Sequence, residues 1–130
     1  MLIEESEWNA LSHLVLGCCL TIHRKLGPGL LESVYADCLA SEMRRRKLNF
    51  VREFAVPVHY EGEVVGEPLR LDFLIEDTVV LEVKAVEVLH RVHSSQVLTY
   101  LKLIGRPLGL LVNFNVALLR EGIRRLILTR

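Results

Sequence analysis

Two acids and a lysine fall where neighbouring strands would bring them together. Arg70-Leu71-Asp72-Phe73-Leu74-Ile75 is followed, after a short turn, by Val79-Val80-Leu81-Glu82-Val83-Lys84-Ala85. Side chains alternate faces along a strand, so Glu82 and Lys84 point the same way. Antiparallel pairing through the turn would set Asp72 beside them. Two carboxylates and an ammonium at one place suit a magnesium-dependent phosphodiester hydrolase. The acids would hold the cation, and the ammonium would offset charge developing on the phosphate. Judged on these strands alone, a sheet with one wet face and cross-strand ion pairs is the better account, because charged alternation is common.

Other polar residues change that balance. Glu32 sits early in a helical stretch in which Tyr35, Ala36 and Leu39 recur at helical spacing. It borders the apolar stripe, which would turn it toward the sheet as a third carboxylate. A first-turn Glu favoured by the helix dipole explains its position equally well. On a later helical stretch, His93, Gln96 and Tyr100 stand at i, i+3 and i+7. Core-facing Gln and Tyr need polar partners, which a metal–water network or a phosphate would supply. An amphipathic helix with a polar flank accounts for the same spacing.

Rival chemistries have less support. His90 and His93 lack a third zinc ligand, and no cysteine is suitably spaced. No nucleophile elbow or Cys-His signature is present. The glycines of Leu26-Gly27-Pro28-Gly29 match neither a P-loop nor a dinucleotide fingerprint, and no strand precedes them.

The elements that must position these residues follow from periodicity. Trp8, Leu11, Val15, Cys18, Ile22 and Leu26 predict a first helix, with Ser6 as its cap, ending at Gly27-Pro28-Gly29. A second helix is predicted over residues 30–47, its apolar stripe being Leu31, Val34, Tyr35, Cys38, Leu39 and Met43. The period then changes to two. Residues 50–60 predict a strand near a sheet edge because of Pro57. Residues 64–75 predict a second strand, irregular around Gly66 and Pro68, and residues 79–85 a third. In the second strand, alternation groups Leu69, Leu71, Phe73 and Ile75 on one face. A third helix over residues 90–104 stops at Gly105-Arg106-Pro107. Residues 108–114 form an apolar run fit for a buried, parallel strand. Residues 123–128 suit either an edge strand or a short helix. The order α-α-β-β-β-α-β gives an α/β layered domain with a central mixed sheet flanked by helices.

Composition bounds the function. The 130 residues suit one domain over the whole chain. A hydrophobic fraction of 51% and mean hydropathy of +0.32 favour a well-buried core. No apolar run approaches the roughly 18 residues of a membrane span. The acidic start is unlike a secretory signal, so a cytoplasmic location is expected, with no membrane partner. The three cysteines, Cys18, Cys19 and Cys38, suggest neither a disulfide scaffold nor a zinc ribbon, and Cys18 and Cys38 fall on apolar helix faces as small core residues. Sixteen basic and sixteen acidic residues leave no net charge, which argues against a pure phosphate-binding module. Basic residues do cluster at Arg44-Arg45-Arg46-Lys47 and at Arg120, Arg124, Arg125 and Arg130. For the first group, a solvated helix end is the preferred reading.

Taken together, these residues resemble a known group. Gly29-Leu30-Leu31-Glu32-Ser33-Val34-Tyr35 looks like the signature of the GxxExxY proteins, placed in the PD-(D/E)xK nuclease superfamily. The resemblance extends to Leu26-Gly27-Pro28-Gly29, Asp72, Glu82-Val83-Lys84, Gln96 with Tyr100, and Gly109-Leu110-Leu111-Val112-Asn113-Phe114. It implies a restriction-endonuclease-like core and cleavage of nucleic acid, DNA before RNA, with Mg2+, or Mn2+ in its place. By the same resemblance Asp72 and Glu82 bind metal with the Val83 carbonyl assisting, and Glu32 is the helix-borne carboxylate. Lys84 orients or activates the attacking water. Gln96 and Tyr100 resemble the QxxxY element of RecB-like nucleases, which supports the metal site or the substrate strand. The residue before Asp72 is Leu71 rather than the proline of the superfamily pattern.

Two rival readings belong to other classes. One is a catalytically silent nuclease fold that binds nucleic acid or a protein partner. The other is a metal-dependent hydrolase of small phosphate esters. The apolar content also exceeds what one small core comfortably buries, so a homodimer is expected.

Overall fold

The computed structural model describes the backbone of residues 5–128 and the side chains of residues 7–128. Two helices come first, α1 (Glu5–Leu26) and α2 (Glu32–Arg45). Three strands follow, β1 (Phe50–Tyr60), β2 (Glu63–Ile75) and β3 (Val79–Lys84). The chain continues through α3 (Arg91–Ile104) and β4 (Leu108–Asn113). It then makes a 3₁₀ turn at Leu119–Gly122 and ends in β5 (Ile123–Ile127). The strands form one mixed sheet in sequence order. All neighbours pair antiparallel except β3 and β4, which are parallel. The α/β order read from the sequence therefore holds, and the last apolar segment is an edge strand.

Burial explains this arrangement. β4 is buried at all six positions and β3 at its first five, so both are covered on both faces, as parallel strands usually are. On one face, Leu81, Val83, Leu110 and Val112 pack against Val15, Cys18 and Ile22 of α1 and Tyr35, Leu39 and Met43 of α2. On the other, Val80 and Leu111 pack against Val97, Tyr100 and Leu101 of α3. Gly105, in a left-handed conformation, ends α3 with its N–H donated to the Leu101 carbonyl.

Several details differ from the periodicity. α1 includes Ser6, so this residue is not the cap; its side chain lies outside the described residues, as does Arg130. Leu26, at the end of α1, is exposed; Leu31 is 73% exposed and Val34 is exposed too, so the buried stripe of α2 is Tyr35, Ala36, Leu39, Ala40 and Met43. The irregularity near Gly66 is a bulge: the β1–β2 register shifts between Val56 and Val58. The basic end of α2 is bound locally, with Arg45 and Arg46 both paired to Glu42.

The simple alternation of β2 also fails. Phe73 and Ile75 pack on the α1/α2 side, whereas Leu69 and Leu71 pack on the α3 side with Leu74. β1 switches at the same level: Phe50 packs on the α1/α2 side, Phe54 and Val56 on the α3 side. The residues at the switch are Glu53 and Asp72. Arg52 pairs with Phe73 and Phe54 with Leu71, which leaves Glu53 opposite Asp72. Glu53 has φ 54°, a left-handed conformation costing a non-glycine residue about 1 kcal/mol or more. That backbone reversal exchanges the two faces of the strand.

Candidate active site

The β2–β3 ladder runs from Ile75 opposite Val79 to Phe73 opposite Leu81, then stops. Asp72 and Glu82 come next. The Asp72 N–H donates to Glu82 Oε1 at 2.8 Å, and the Val83 N–H donates to Asp72 Oδ2 at 2.8 Å. Each carboxylate thus takes a backbone donor of the other strand, and the two acids are locked together where the strands part. Glu82 is only 4% exposed. Burial, and then the charge of Asp72, push its carboxyl up to about 8, against the smaller opposing effects of the Asp72 N–H and the Lys84 charge. Lys84, half-buried, ends β3 on the same face as Glu82.

Two helices bound this pair. Tyr100 of α3 is buried. It packs in the layer that holds Leu71 and Val80, and its hydroxyl pKa is raised by burial and then by the charges of Glu82 and Asp72. Gln96, one turn earlier, is exposed, and among the described residues no hydrogen bond joins it to the pair. His93 is used locally: its Nδ1 accepts the His90 N–H at 3.0 Å and caps the start of α3. On the other side, Glu32 is the first residue of α2. It shares with Asp72 a cleft of about 350 Å³, also lined by Ser33, Ala36, Arg52 and Glu53.

The position of Glu32 is set by Tyr35. The Tyr35 hydroxyl donates to the Gly27 carbonyl at 2.5 Å and accepts the Leu30 N–H at 3.2 Å. Its ring stacks on Phe114, centroids 4.5 Å apart. One buried phenol therefore ties the α1–α2 turn to the chain just after β4. Gly29, at φ 105°, makes a bend within that turn that a side chain would resist. The glycine, acid and tyrosine of the segment act together: bend, carboxylate at the cleft, anchor. At the far ends of β3 and β4, the buried Asn113 side chain accepts the Val86 N–H and donates to the Val86 carbonyl. It fixes the exit from the Lys84 strand toward α3.

A family model described as the PD-(D/E)XK nuclease superfamily matches residues 9–126. The chain belongs to the PD-(D/E)XK nuclease superfamily. No curated protein and no solved structure shows a significant match. The three helices and five-stranded mixed sheet are consistent with a restriction-endonuclease-like fold.

Three cleft residues, Ser33, Arg52 and Glu53, were not singled out from the sequence. Arg52 and Glu53 belong to the first strand, where regular alternation gives no hint that one residue turns back to the site. The left-handed Glu53 is a tertiary feature, and no glycine or asparagine marks it.

The metal that such nucleases typically use can be tested against this donor set. Among the described residues no group of three or more His, Cys, Asp or Glu side chains is gathered to hold a metal ion. What is present is a pair of hard oxygen donors in mutual repulsion, with no salt bridge to either acid among the described residues. Magnesium is commonly held by one or two carboxylates while keeping several waters. The pair fits such an ion. No helix among the described residues is long and apolar enough to cross a membrane.

Proposed function

We propose that this chain, as one nuclease-like domain, is a metal-dependent nuclease that hydrolyses phosphodiester bonds, with DNA its first substrate and Mg2+, or Mn2+, its cofactor. The observation that carries this reading is the interlocked Asp72–Glu82 pair at the point where β2 and β3 part. Asp72, Glu82 and the Val83 carbonyl would hold the ion, and Glu32 would act from across the cleft, through water. When bound, the cation polarises the scissile phosphate and lowers the pKa of a bound water. Lys84 would orient that water and offset charge developing on the phosphoryl oxygens. Tyr100 and Gln96 would border the site as the pair that steadies the acids or the substrate strand. The motif Gly29-x-x-Glu32-x-x-Tyr35 further supports membership of the GxxExxY group.

Asp72→Asn and Lys84→Ala are each expected to lower metal-dependent cleavage of a mixed DNA and RNA pool by about 10²-fold or more, with melting temperatures close to the parent's. If both variants cut like the parent, the mechanism is wrong. If the parent binds magnesium and cuts small phosphate esters but no nucleic acid, the substrate class is wrong.

The zero net charge favours one second reading: a nuclease fold retained for binding nucleic acid or a protein partner without cleavage. Absence of both magnesium binding and cleavage would select it. Homodimer formation is the other part of the proposal. It is supported by large apolar side chains left exposed on the β1–β2 hairpin, Tyr60 at 68% and Val64 at 64%.

A further inference from the structure

We propose that Arg52 is a phosphate-binding residue of this site, set in place by Asp37, and that it grips a non-bridging oxygen of the substrate strand. The inference rests on the nuclease reading above and adds a residue to it. The cleft beside Asp72 is lined by Glu32, Ser33, Ala36, Arg52, Glu53 and Asp72. Three of the six are carboxylates, and Arg52 is the cation among them. A polyanion entering this cleft is repelled by Glu32 and Glu53 unless a positive group on the wall receives it.

Arg52 is held for that task from two sides. Its Nη2 lies 2.7 Å from Asp37 Oδ1 of α2, and the centre of its guanidinium sits 5.7 Å from the centroid of the Phe73 ring. Asp37 engages one terminal nitrogen, while Nε and Nη1 have no partner among the described residues. The side chain remains 34% exposed, so those donors can be reached. A planar guanidinium with free donors and a fixed plane matches the oxygens of a phosphate. Pairing with the largely exposed Asp37 adds little to folding stability, because exposed ion pairs are weak. Its value is positional.

The backbone points the same way. Regular alternation from Phe50, on the α1/α2 side, puts Arg52 on that same side. The left-handed turn at Glu53 then sends Phe54 and Val56 to the α3 side and leaves Arg52 over Phe73 and beside Asp37. The residue opposite Asp72 thus parts Arg52, which lines the cleft, from the apolar run that follows on the α3 side.

The test uses the full chain and steady-state cleavage of a fluorescein-labelled DNA oligonucleotide in magnesium, across a salt series. Arg52→Gln is expected to raise KM on the order of tenfold, more than it lowers kcat. It should also reduce the slope of log(1/KM) against log salt by about 0.7 to 0.9, the loss of one phosphate contact. Arg52→Lys should restore the slope and only part of the KM. Asp37→Asn should raise KM and keep the slope, since the charge stays and its placement is lost. An unchanged KM and slope in Arg52→Gln overturns the proposal, as does a KM rise that Lys leaves wholly uncorrected and that tracks a fall in melting temperature. A parent that cuts no nucleic acid sinks the nuclease reading and this proposal together. A cutting parent with a neutral Arg52→Gln sinks this proposal alone.

Discussion

Asp72 and Glu82 each accept a backbone N–H from the other's strand, which locks the two carboxyls together and sets their electrostatics. Two neighbouring carboxylates, one of them buried, cannot both ionise freely, so Glu82 keeps its proton to about pH 8. A free carboxyl in the unfolded chain loses its proton near 4.5. The folded state therefore binds the extra proton between those values, and stability falls as pH rises through that window. Below it both states are protonated and nothing is lost. Glu82→Gln, which stays neutral, should flatten this dependence. Urea midpoints measured from pH 5 to pH 9 should fall in the parent and fall less in the variant. Parallel curves would show that Glu82 ionises normally in the fold.

At the scale of elements, the site depends on how closely α3 approaches the sheet. Gly109 of β4 is the point of contact. A Cβ there would lie 2.5 Å from Val97 Cγ1 and 3.4 Å from Leu101 Cδ1. Both side chains are buried in the layer that includes Tyr100. Gly109→Ala should therefore push α3 outward and cost about 1 to 3 kcal/mol, read by chemical denaturation. Val97→Ala in the same chain should recover part of that loss, because it removes the methyl that clashes. A simple sum of the two single losses would mean that the helix does not bear on Gly109. The sequence shows this glycine inside a strand pattern, but its reason is the helix above it.

At the scale of the molecule, charge and apolar surface are unevenly spread although the totals balance. Residues 53–69, which include the projecting hairpin, contain Glu53, Glu61, Glu63 and Glu67 and no lysine or arginine. They also expose Tyr60, Val64 and Val65. An acidic, apolar ribbon is poorly suited to nucleic acid and well suited to protein. Sedimentation equilibrium over a concentration series should show a dimer, and Tyr60→Ser with Val64→Lys should weaken it at least tenfold. A monomer at every concentration removes the homodimer. At the basic end, Arg125 is hydrogen-bonded to Ser12 and Asn9 of α1, so that arginine fastens β5 to the first helix.

Local chemistry determined the elements. Glycine-proline breakers, the change of period from helix to strand, and the apolar runs of β3 and β4 act over a few residues, so the element order and the parallel pairing were legible in the sequence. So was the Asp72, Glu82, Lys84 pattern, because alternation in β3 and one hairpin turn are enough to bring those residues together. The tertiary structure decided what depends on distant backbone. The left-handed Glu53, the exchange of faces at Asp72 and the pairing of Arg52 with Asp37 arise from three segments meeting. The exposure of Leu31 and Val34 has the same origin: which flank of an apolar stripe is covered depends on where α1 and the sheet come to rest, and helical period alone does not carry that information.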